Sequence, residues 1–399
     1  MKSFPVRIIT PRGERILCGE LRIDEGALGS RLAWAFRYDS VYLGRPDSHE
    51  LDPVALPLRS RPFDGAGEPW LPRALNDALP DAWGRRVYAR QYGINSKDPR
   101  VIIPLLTPPM LGAIRFSPKD NEAARPERLD DLIGLAGLIE RGEPVSDDEW
   151  QRMGGWGTAG GARPKALITD AEGGHWLAKF PSVDDTVTMA PIEALCLDLA
   201  AEAGIEVPDH KLAPNRPDVL LVRRFDVSDQ GGRYHRISFE TLARGALNSY
   251  ETGLFLVRRF CADPRQAVLD LYRRMVFNAA IGNTDDHERN LSLLHCGGWR
   301  LSPAYDLLPD LSFRGEHAVA FSHSNHPPNR DQCIRIGSDA GIKAAQCAHI
   351  IDEVVAAVSG FSARLTQTQC PDDMVMRLSQ SVNQRLERLR AEKSIESDF

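Results

Sequence analysis

Several things are scarce in this sequence, and each scarcity narrows the reading. The seven cysteines, at positions 18, 196, 261, 296, 333, 347 and 370, are odd in number and scattered singly, with no C-x-x-C pair. That excludes a disulfide framework and argues against structural zinc, so reduced thiols in a cytoplasmic protein are the expectation. No stretch approaches the roughly 18 apolar residues that a membrane span requires, and Met1 to Arg7 has no apolar signal core, so no membrane partner is expected. A basic surplus is missing too. Lys+Arg 49 against Asp+Glu 55 leaves a formal charge of -6, so any nucleic-acid contact has to be local. The G-x-x-x-x-G-K-[ST] spacing of a Walker loop is absent, as are internal repeats and low-complexity tracts.

Apolar material is plentiful by comparison. With 42% hydrophobic residues among 399, two or three domains with sizeable cores are expected. The N-terminus alternates in the strand manner through Val6 and Ile8, turns at Pro11-Arg12-Gly13 and returns through Ile16, Cys18, Leu21 and Ile23. A second hairpin is expected over Leu32 to Leu43, turning at Tyr38-Asp39-Ser40. Leu75 to Gln91 reads as a helix broken at Pro80 and stopped by Gly93. Residues 100–150, Pro-rich and then acidic, read as a connection between domains with one helix at Arg128 to Arg141.

From Gly154 the composition changes. Glycines at 154, 155, 157, 160 and 161 precede a strand over Ala166 to Thr169, a turn at Asp170 to Gly174 and a strand over Trp176 to Phe180 that carries Lys179. Glycine backbone ahead of a strand can approach phosphates closely and aim N–H groups at them, because no Cβ intervenes; a flexible linker would show the same composition. Lys179 is a charge among apolar neighbours and needs a partner if its strand is central. The next helix, expected to start with Pro191 at its first position and close at Gly204, offers Glu193 in its first turn, where the helix dipole alone would also favour it. An apolar strand over Val219 to Phe225 follows, then a helix over Pro264 to Ile281 that delivers the segment beginning at Asn283.

That segment sets Asp285, an Asn five residues on at 290, an apolar run from Leu291 to Leu294, a Cys-Gly-Gly turn, a second run and a final Asp306. Protein kinases use the same order: a proton-accepting Asp, a metal-binding Asn and, after a hairpin, a metal-binding Asp. Phosphoryl transfer asks for positioning and charge neutralisation, and two hard oxygen ligands on neighbouring strands suit Mg²⁺. Beyond Asp306 a polar loop up to about Ile334 corresponds in order to an activation segment, and two helices, Lys343 to Val358 and Asp373 to Lys393, finish the chain.

With these pieces in order the chain resembles the HipA family of bacterial Ser/Thr kinases, the toxin half of HipBA-type toxin–antitoxin pairs, over nearly its whole length. L-P-L-R-S-R-P-F and N-D-A-L-P-D-A-W-G-R-R resemble the family's small N-terminal subdomain, and G-G-A-R-P-K-A its Gly-rich loop. A-K-F-P resembles its nucleotide-lysine strand, R-R-F-D its hinge, N-T-D-D-H-E-R-N its catalytic loop and S-P-A-Y-D its metal-binding motif. The resemblance implies an α+β, protein-kinase-like two-lobed fold. A small mixed N-terminal subdomain would cover 1–125, an N-lobe-like region 126–260 and an all-α C-terminal subdomain 261–399.

It also implies roles. Asp285 would be the catalytic base, with His287 in the same loop, and Asn290 and Asp306 would hold Mg²⁺. Gly160, Gly161, Ala162, Arg163, Pro164 and Lys165 would form the phosphate loop, Lys179 would contact ATP phosphates with Glu193 orienting it, and Tyr305 would lie at the nucleotide. Arg223, Arg224 and Phe225 would present hinge backbone to adenine. The loop serine that family members autophosphorylate is Thr158 here, and Ala-Arg-Pro precedes the loop lysine where the founding member has a Gln-Glu pair. The implied cofactors are ATP and Mg²⁺. The implied partners are a protein substrate, an aminoacyl-tRNA synthetase in known relatives, and a small HipB-like helix-turn-helix antitoxin that carries operator DNA recognition. Two other readings share the loop: a small-molecule kinase of the aminoglycoside phosphotransferase type, and a non-catalytic repressor or pseudokinase subunit.

Overall fold

Period-two alternation at the N-terminus becomes an antiparallel pair. β1 (Lys2–Ile9) and β2 (Arg15–Ile23) face each other from Lys2 opposite Ile23 to Ile9 opposite Arg15. The turn is the expected one: Gly13, at φ 82°, donates its N–H to the Thr10 carbonyl at 2.9 Å. The remaining strands are β3 (Ala33–Tyr38), β4 (Phe63–Ala66), β5 (Ile114–Arg115), β6 (Lys165–Thr169), β7 (His175–Lys179), β8 (His210–Ala213), β9 (Arg216–Arg223), β10 (His235–Ser238), β11 (Ser292–His295) and β12 (Trp299–Leu301). They order as β4-β3-β2-β1-β5, β6-β7-β9-β8 and β10-β11-β12. The computed structural model describes residues 1–29, 31–106, 109–116, 129–146, 149 and 163–391. Thr158, Gly160, Gly161 and Ala162 of the expected glycine loop lie outside them. Two units emerge, one of Met1–Asp185, Leu221–Ile237 and Leu294–Cys296, the other of Thr186–Leu220, Ser238–Leu293 and Gly297–Phe399.

In the first unit the five-stranded sheet buries Val6, Leu21, Ile23 and Phe36. The second hairpin expected over Leu32 to Leu43 does not form. β3 pairs with β2 and β4 instead, and Asp39 ends it by accepting the N–H groups of Val41 (2.8 Å) and Tyr42 (3.3 Å) as the cap of a one-turn helix, Ser40–Leu43. A side-chain acceptor that satisfies first-turn donors favours a helix start over a hairpin turn. Helices Arg73–Asn76 and Ala82–Tyr92 flank Pro80 as expected, the second ended by Gly93 at φ 60°. Residues 100–150 are more than a connection, because β5 within them completes the first sheet against β1.

A buried ion pair holds the approach to β5. Arg224 meets Asp226 at 2.7 Å and donates to the Met110 carbonyl at 2.8 Å, while Asp226 accepts the Gly112 N–H at 2.6 Å. Burial alone would raise the Asp226 carboxyl, but the Arg224 guanidinium, the Gly112 N–H and the Arg233 charge hold it at about 2. His49 stacks on His295 with ring centroids 3.9 Å apart and on His235 at 5.5 Å. Burial and mutual repulsion lower His235 and His295 to about 3, and burial lowers His49 against the opposing pull of Glu50 and Asp47.

The second unit is mainly helical. Helix Pro264–Ile281 packs against Tyr250–Phe260, Ala344–Val358 and Asp372–Arg390, with Leu271, Tyr272, Met275 and Phe277 buried. The all-α expectation for 261–399 fails at β11 and β12, where Gly297 and Gly298, at φ 78° and 152°, turn the chain back. Helix Met189–Glu202 begins earlier than expected, since the first four helical N–H groups lack partners and Pro191 is tolerated among them. Glu193 therefore lies beyond the first turn. A further helix, Arg330–Asp339, enters the expected polar loop because Asn329 and Gln332 form a reciprocal capping box. The final helix is Asp372–Arg390.

Asp226→Ala removes the buried ion-pair partner of Arg224 and is expected to cost about 3–5 kcal/mol in urea unfolding. The histidine stack has folded-state values below the ordinary 6.5, so its contribution is complete above pH 6.5 and declines as the pH falls through that value. A His49→Gln, His295→Gln variant should show a flatter loss of stability between pH 7 and pH 5, readable from denaturation midpoints.

Candidate active site

Residues expected to meet phosphate share one hairpin in the first unit. β6 and β7 pair from Lys165 opposite Lys179 to Thr169 opposite His175. Asp170 closes the turn, accepting the Gly174 N–H at 2.5 Å and the Trp176 indole N–H at 2.6 Å. Opposed residues of antiparallel strands project to the same face, so the two lysines stand side by side. Like charges at that spacing raise the local potential, and a bound polyanion relieves it. Arg163 is ion-paired with Asp185, which also accepts the Ser182 N–H at 2.9 Å, and the Pro164 carbonyl accepts the Phe180 N–H at 3.0 Å. Of the expected hinge, Arg223 lies over the Trp176 ring at 5.4 Å, and Arg224 donates its backbone N–H to the His175 carbonyl at 3.0 Å.

The second unit holds the other candidates. Glu193 is buried on helix Met189–Glu202; Lys179 and Glu193 belong to different units. Helix Pro264–Ile281 is capped at its start by Asp263 and ends at Gly282 in the left-handed region, φ 72°. The positive φ is what calls for glycine, and a Cβ there would also push the Arg385 side chain aside, at 2.7 Å from its Nε. The Asn283 N–H returns to the Asn278 carbonyl at 3.0 Å and turns the chain into the loop.

The two aspartates that follow point different ways. Asp286 is buried and accepts from the Tyr250 hydroxyl (2.6 Å), His317 Nδ1 (3.1 Å) and the N–H groups of Ala318 (2.9 Å) and Val319 (3.2 Å). Asp285 faces outward with 76% of its side chain exposed and His287 Nε2 at 3.8 Å. The loop closes on itself, the Asn290 N–H donating to the His287 carbonyl at 2.8 Å and the Asn290 amide NH₂ to the Asp285 carbonyl at 2.9 Å. That second bond commits the nitrogen of Asn290 inward and turns its oxygen away from the loop. The Tyr305 hydroxyl donates to the Arg289 carbonyl at 2.9 Å, strapping the strand that leads to Asp306 onto the loop. Asp306 adopts φ 59°, a conformation that costs a non-glycine residue about 1–3 kcal/mol and clusters at functional sites.

The Asp285 carboxyl is held above the ordinary Asp range. Partial burial of the loop, Asp306 and Asp286 push it up, while His287 and Arg314 pull it down. With 76% of the side chain exposed, dehydration is weak, and the facing Asp306 charge is the firmer cause. The structure thus brings Asp285, His287, Asn290, Tyr305 and Asp306 into one neighbourhood. Among the described residues no group of three or more His, Cys, Asp and Glu side chains is arranged to hold a metal. One carboxylate and one amide oxygen still fit Mg²⁺, which takes most of its ligands from water and substrate phosphate. The repulsion between Asp285 and Asp306 is what a cation at Asp306 would relieve. Sequence reading passed over Asp286, Tyr250, His317 and Arg314; the only available signal was the doubled Asp, which marks one carboxylate for solvent and one for the interior.

Asp306→Asn removes a like charge and is expected to bring the Asp285 carboxyl down towards the ordinary range. Titration of its carboxyl carbon by NMR in the two proteins checks this, and an unmoved midpoint would show that the two groups do not sense each other.

Known proteins resemble this chain in sequence and in fold. Residues 14–117 match the family model described as the HipA N-terminal domain, and residues 157–360 the one described as the HipA-like C-terminal domain. Two proteins of Sinorhizobium fredii (strain NBRC 101917 / NGR234) are similar in sequence. "Putative kinase Y4mE" is 26% identical over 317 residues, 69% of this chain and 73% of its own length. "Putative kinase Y4dM" is 23% identical over 298 residues, 68% of this chain and 69% of its own. Among solved structures, a chain of the Shewanella oneidensis MR-1 toxin–antitoxin complex of HipA, HipB and operator DNA superposes with a TM-score of 0.70 at 19% identity, covering 96% of this chain and 97% of that one. The fold they share is mixed α/β. Matched in order by both family models and along nearly its whole length by that fold, this chain belongs to the HipA family.

Proposed function

We propose that this chain is a Mg²⁺-ATP-dependent serine/threonine protein kinase acting as the toxin of a HipBA-type pair. The reading is carried by the self-closed loop 285–290, which presents an exposed carboxylate beside an outward amide oxygen and a second carboxylate in a strained backbone conformation. Family membership and the kinase names of two relatives support it. In this scheme Asp285 accepts the proton of the acceptor hydroxyl, and its raised carboxyl makes it a better base than an ordinary Asp. His287 steadies the carboxylate. The Asn290 bond to the Asp285 carbonyl fixes the loop so that base and acceptor meet without reorganisation. Lys165 and Lys179 hold the phosphates of ATP on the hairpin face. When bound, Mg²⁺ neutralises charge on the transferred phosphoryl group, and Asn290 and Asp306 are the residues that would hold it.

A HipB-like antitoxin is the proposed partner, since the Shewanella complex of the same fold contains HipB and operator DNA. The formal charge of -6 supports leaving most DNA contact to that partner. An aminoacyl-tRNA synthetase is the proposed acceptor class, by family resemblance. Autophosphorylation at Thr158 is a proposal from the sequence alone.

Asp285→Ala is expected to lower phosphate transfer by about 10²–10⁴-fold while ATP still binds. Incorporation of labelled phosphate from ATP into purified aminoacyl-tRNA synthetases, with an aminoglycoside as the competing acceptor, tests this. Label on the aminoglycoside alone would assign the chain to the small-molecule class, and equal transfer by the variant would overturn the catalytic role. The acid limb of the rate should lie above that of an ordinary Asp, because only the ionised carboxylate accepts the proton.

A further inference from the structure

We propose that Asp286 is a positioning residue that fixes the acceptor side of the site by anchoring the loop 317–325 to the catalytic loop; the proposal rests on the protein-kinase reading above. Asp286 sits next to the base in sequence and points the opposite way, into the interior, with 1% of its side chain exposed. Each of its two oxygens accepts two bonds. One takes the Tyr250 hydroxyl and His317 Nδ1–H, the other the consecutive N–H groups of Ala318 and Val319. Three stretches distant in sequence therefore converge on one carboxylate: the start of helix Tyr250–Phe260, the catalytic loop and the segment after Asp306.

The bonds around it extend the anchor in both directions. Asn278 donates to the Tyr250 hydroxyl at 2.9 Å and accepts from the Asn283 side chain at 3.1 Å, which ties the anchor to the end of helix Pro264–Ile281. The Ala318 N–H also meets the Thr284 carbonyl at 3.0 Å, so the loop joins the residue before the base as well as the one after it. On the far side, the Tyr250 N–H donates to the Ala320 carbonyl at 2.9 Å, and the Tyr250 ring stacks on Phe321 at 5.1 Å. Asn325 closes the segment by exchanging bonds with the His317 backbone at 2.7 and 2.8 Å.

The anchored segment borders the base from its own unit. Arg314, just ahead of it, acts on the charge of Asp285. Its outer side exposes Ala318, Ser322 and His323, while His317, Val319 and Phe321 turn inward. A polypeptide bringing a hydroxyl to Asp285 meets this surface. A nucleotide does not need it. The placement of the acceptor is thus what the Asp286 anchor controls.

The test compares wild type with Asp286→Asn in the full chain. The amide keeps an acceptor for Ala318 and Val319 but presents an NH₂ to the Tyr250 and His317 donors. Loss of two bonds to a charged acceptor is expected to speed amide exchange of residues 317–325 and to raise the KM for the acceptor synthetase by about tenfold or more, with the KM for ATP unchanged. Tyr250→Phe, which keeps the ring stack and loses one donor, should shift the same two readouts in the same direction by less, and covers the case in which the first variant fails to fold. Unchanged protection of 317–325 in both variants would overturn the proposal, and so would a released loop with an unaltered KM for the synthetase. A wild type that phosphorylates no synthetase overturns the protein-kinase reading instead, and amide exchange still reports on the anchor by itself.

Discussion

A carboxylate taken out of water must find other donors, and Asp286 shows how far that requirement can organise a unit. Its side chain is 1% exposed, and four donors from two other segments surround it. An ionised group left bare at that depth would cost several kcal/mol, so the segments cannot separate without exposing it. The neighbouring Asp285 is consequently held in a fixed attitude. In the same loop it points the other way from Asp286, with 76% of the Asp285 side chain exposed.

The first unit uses the same physics for a different end. Arg224 and Asp226 form a buried pair whose remaining bonds go to the backbone of Met110 and Gly112, so the residues leading to β5 are held by charge as well as by packing. The Lys165 and Lys179 cross-strand pair is its converse. There the register seats two cations opposite one another on one face of the hairpin, an arrangement that works against the strand pair unless other charges offset it.

Elements whose signal is local were legible in the sequence. Helix Pro264–Ile281 has Pro at its first position and Gly just past its end, and it was read to the residue. The turn at Gly13 and the hairpin through Gly297 carry their own glycine chemistry. Asp39 was misread because Asp serves a turn and a helix cap equally well, and only the pairing of β3 with β4 decides between them. β5 was missed because two residues carry no period; their partner in β1 supplies the reason for the strand. In the candidate site, the order of Asp285, Asn290 and Asp306 is the part of the proposed phosphoryl-transfer reading that the sequence carries. The Asp286 anchor could not be read, because its partners Tyr250 and His317 lie 36 and 31 residues away. Long-range hydrogen bonds leave no spacing to detect.

The end of helix Pro264–Ile281 meets the same constraint with the opposite charge. Its final carbonyls form a negative pole, and Arg385 lies against Gly282 there, half in conflict with its surroundings because burial lowers its pKa. The pole offsets that burial, and so does the charge of Asp310, whose backbone N–H donates to the Gly282 carbonyl at 2.8 Å. The same guanidinium reaches His317 Nε2 at 3.5 Å. His317 thus lies between the Asp286 carboxylate and the Arg385 guanidinium. One cation on the final helix therefore meets both the end of helix Pro264–Ile281 and the segment that Asp286 anchors. The C-terminal helix takes part in building the loop that carries Asp285 and Asp286.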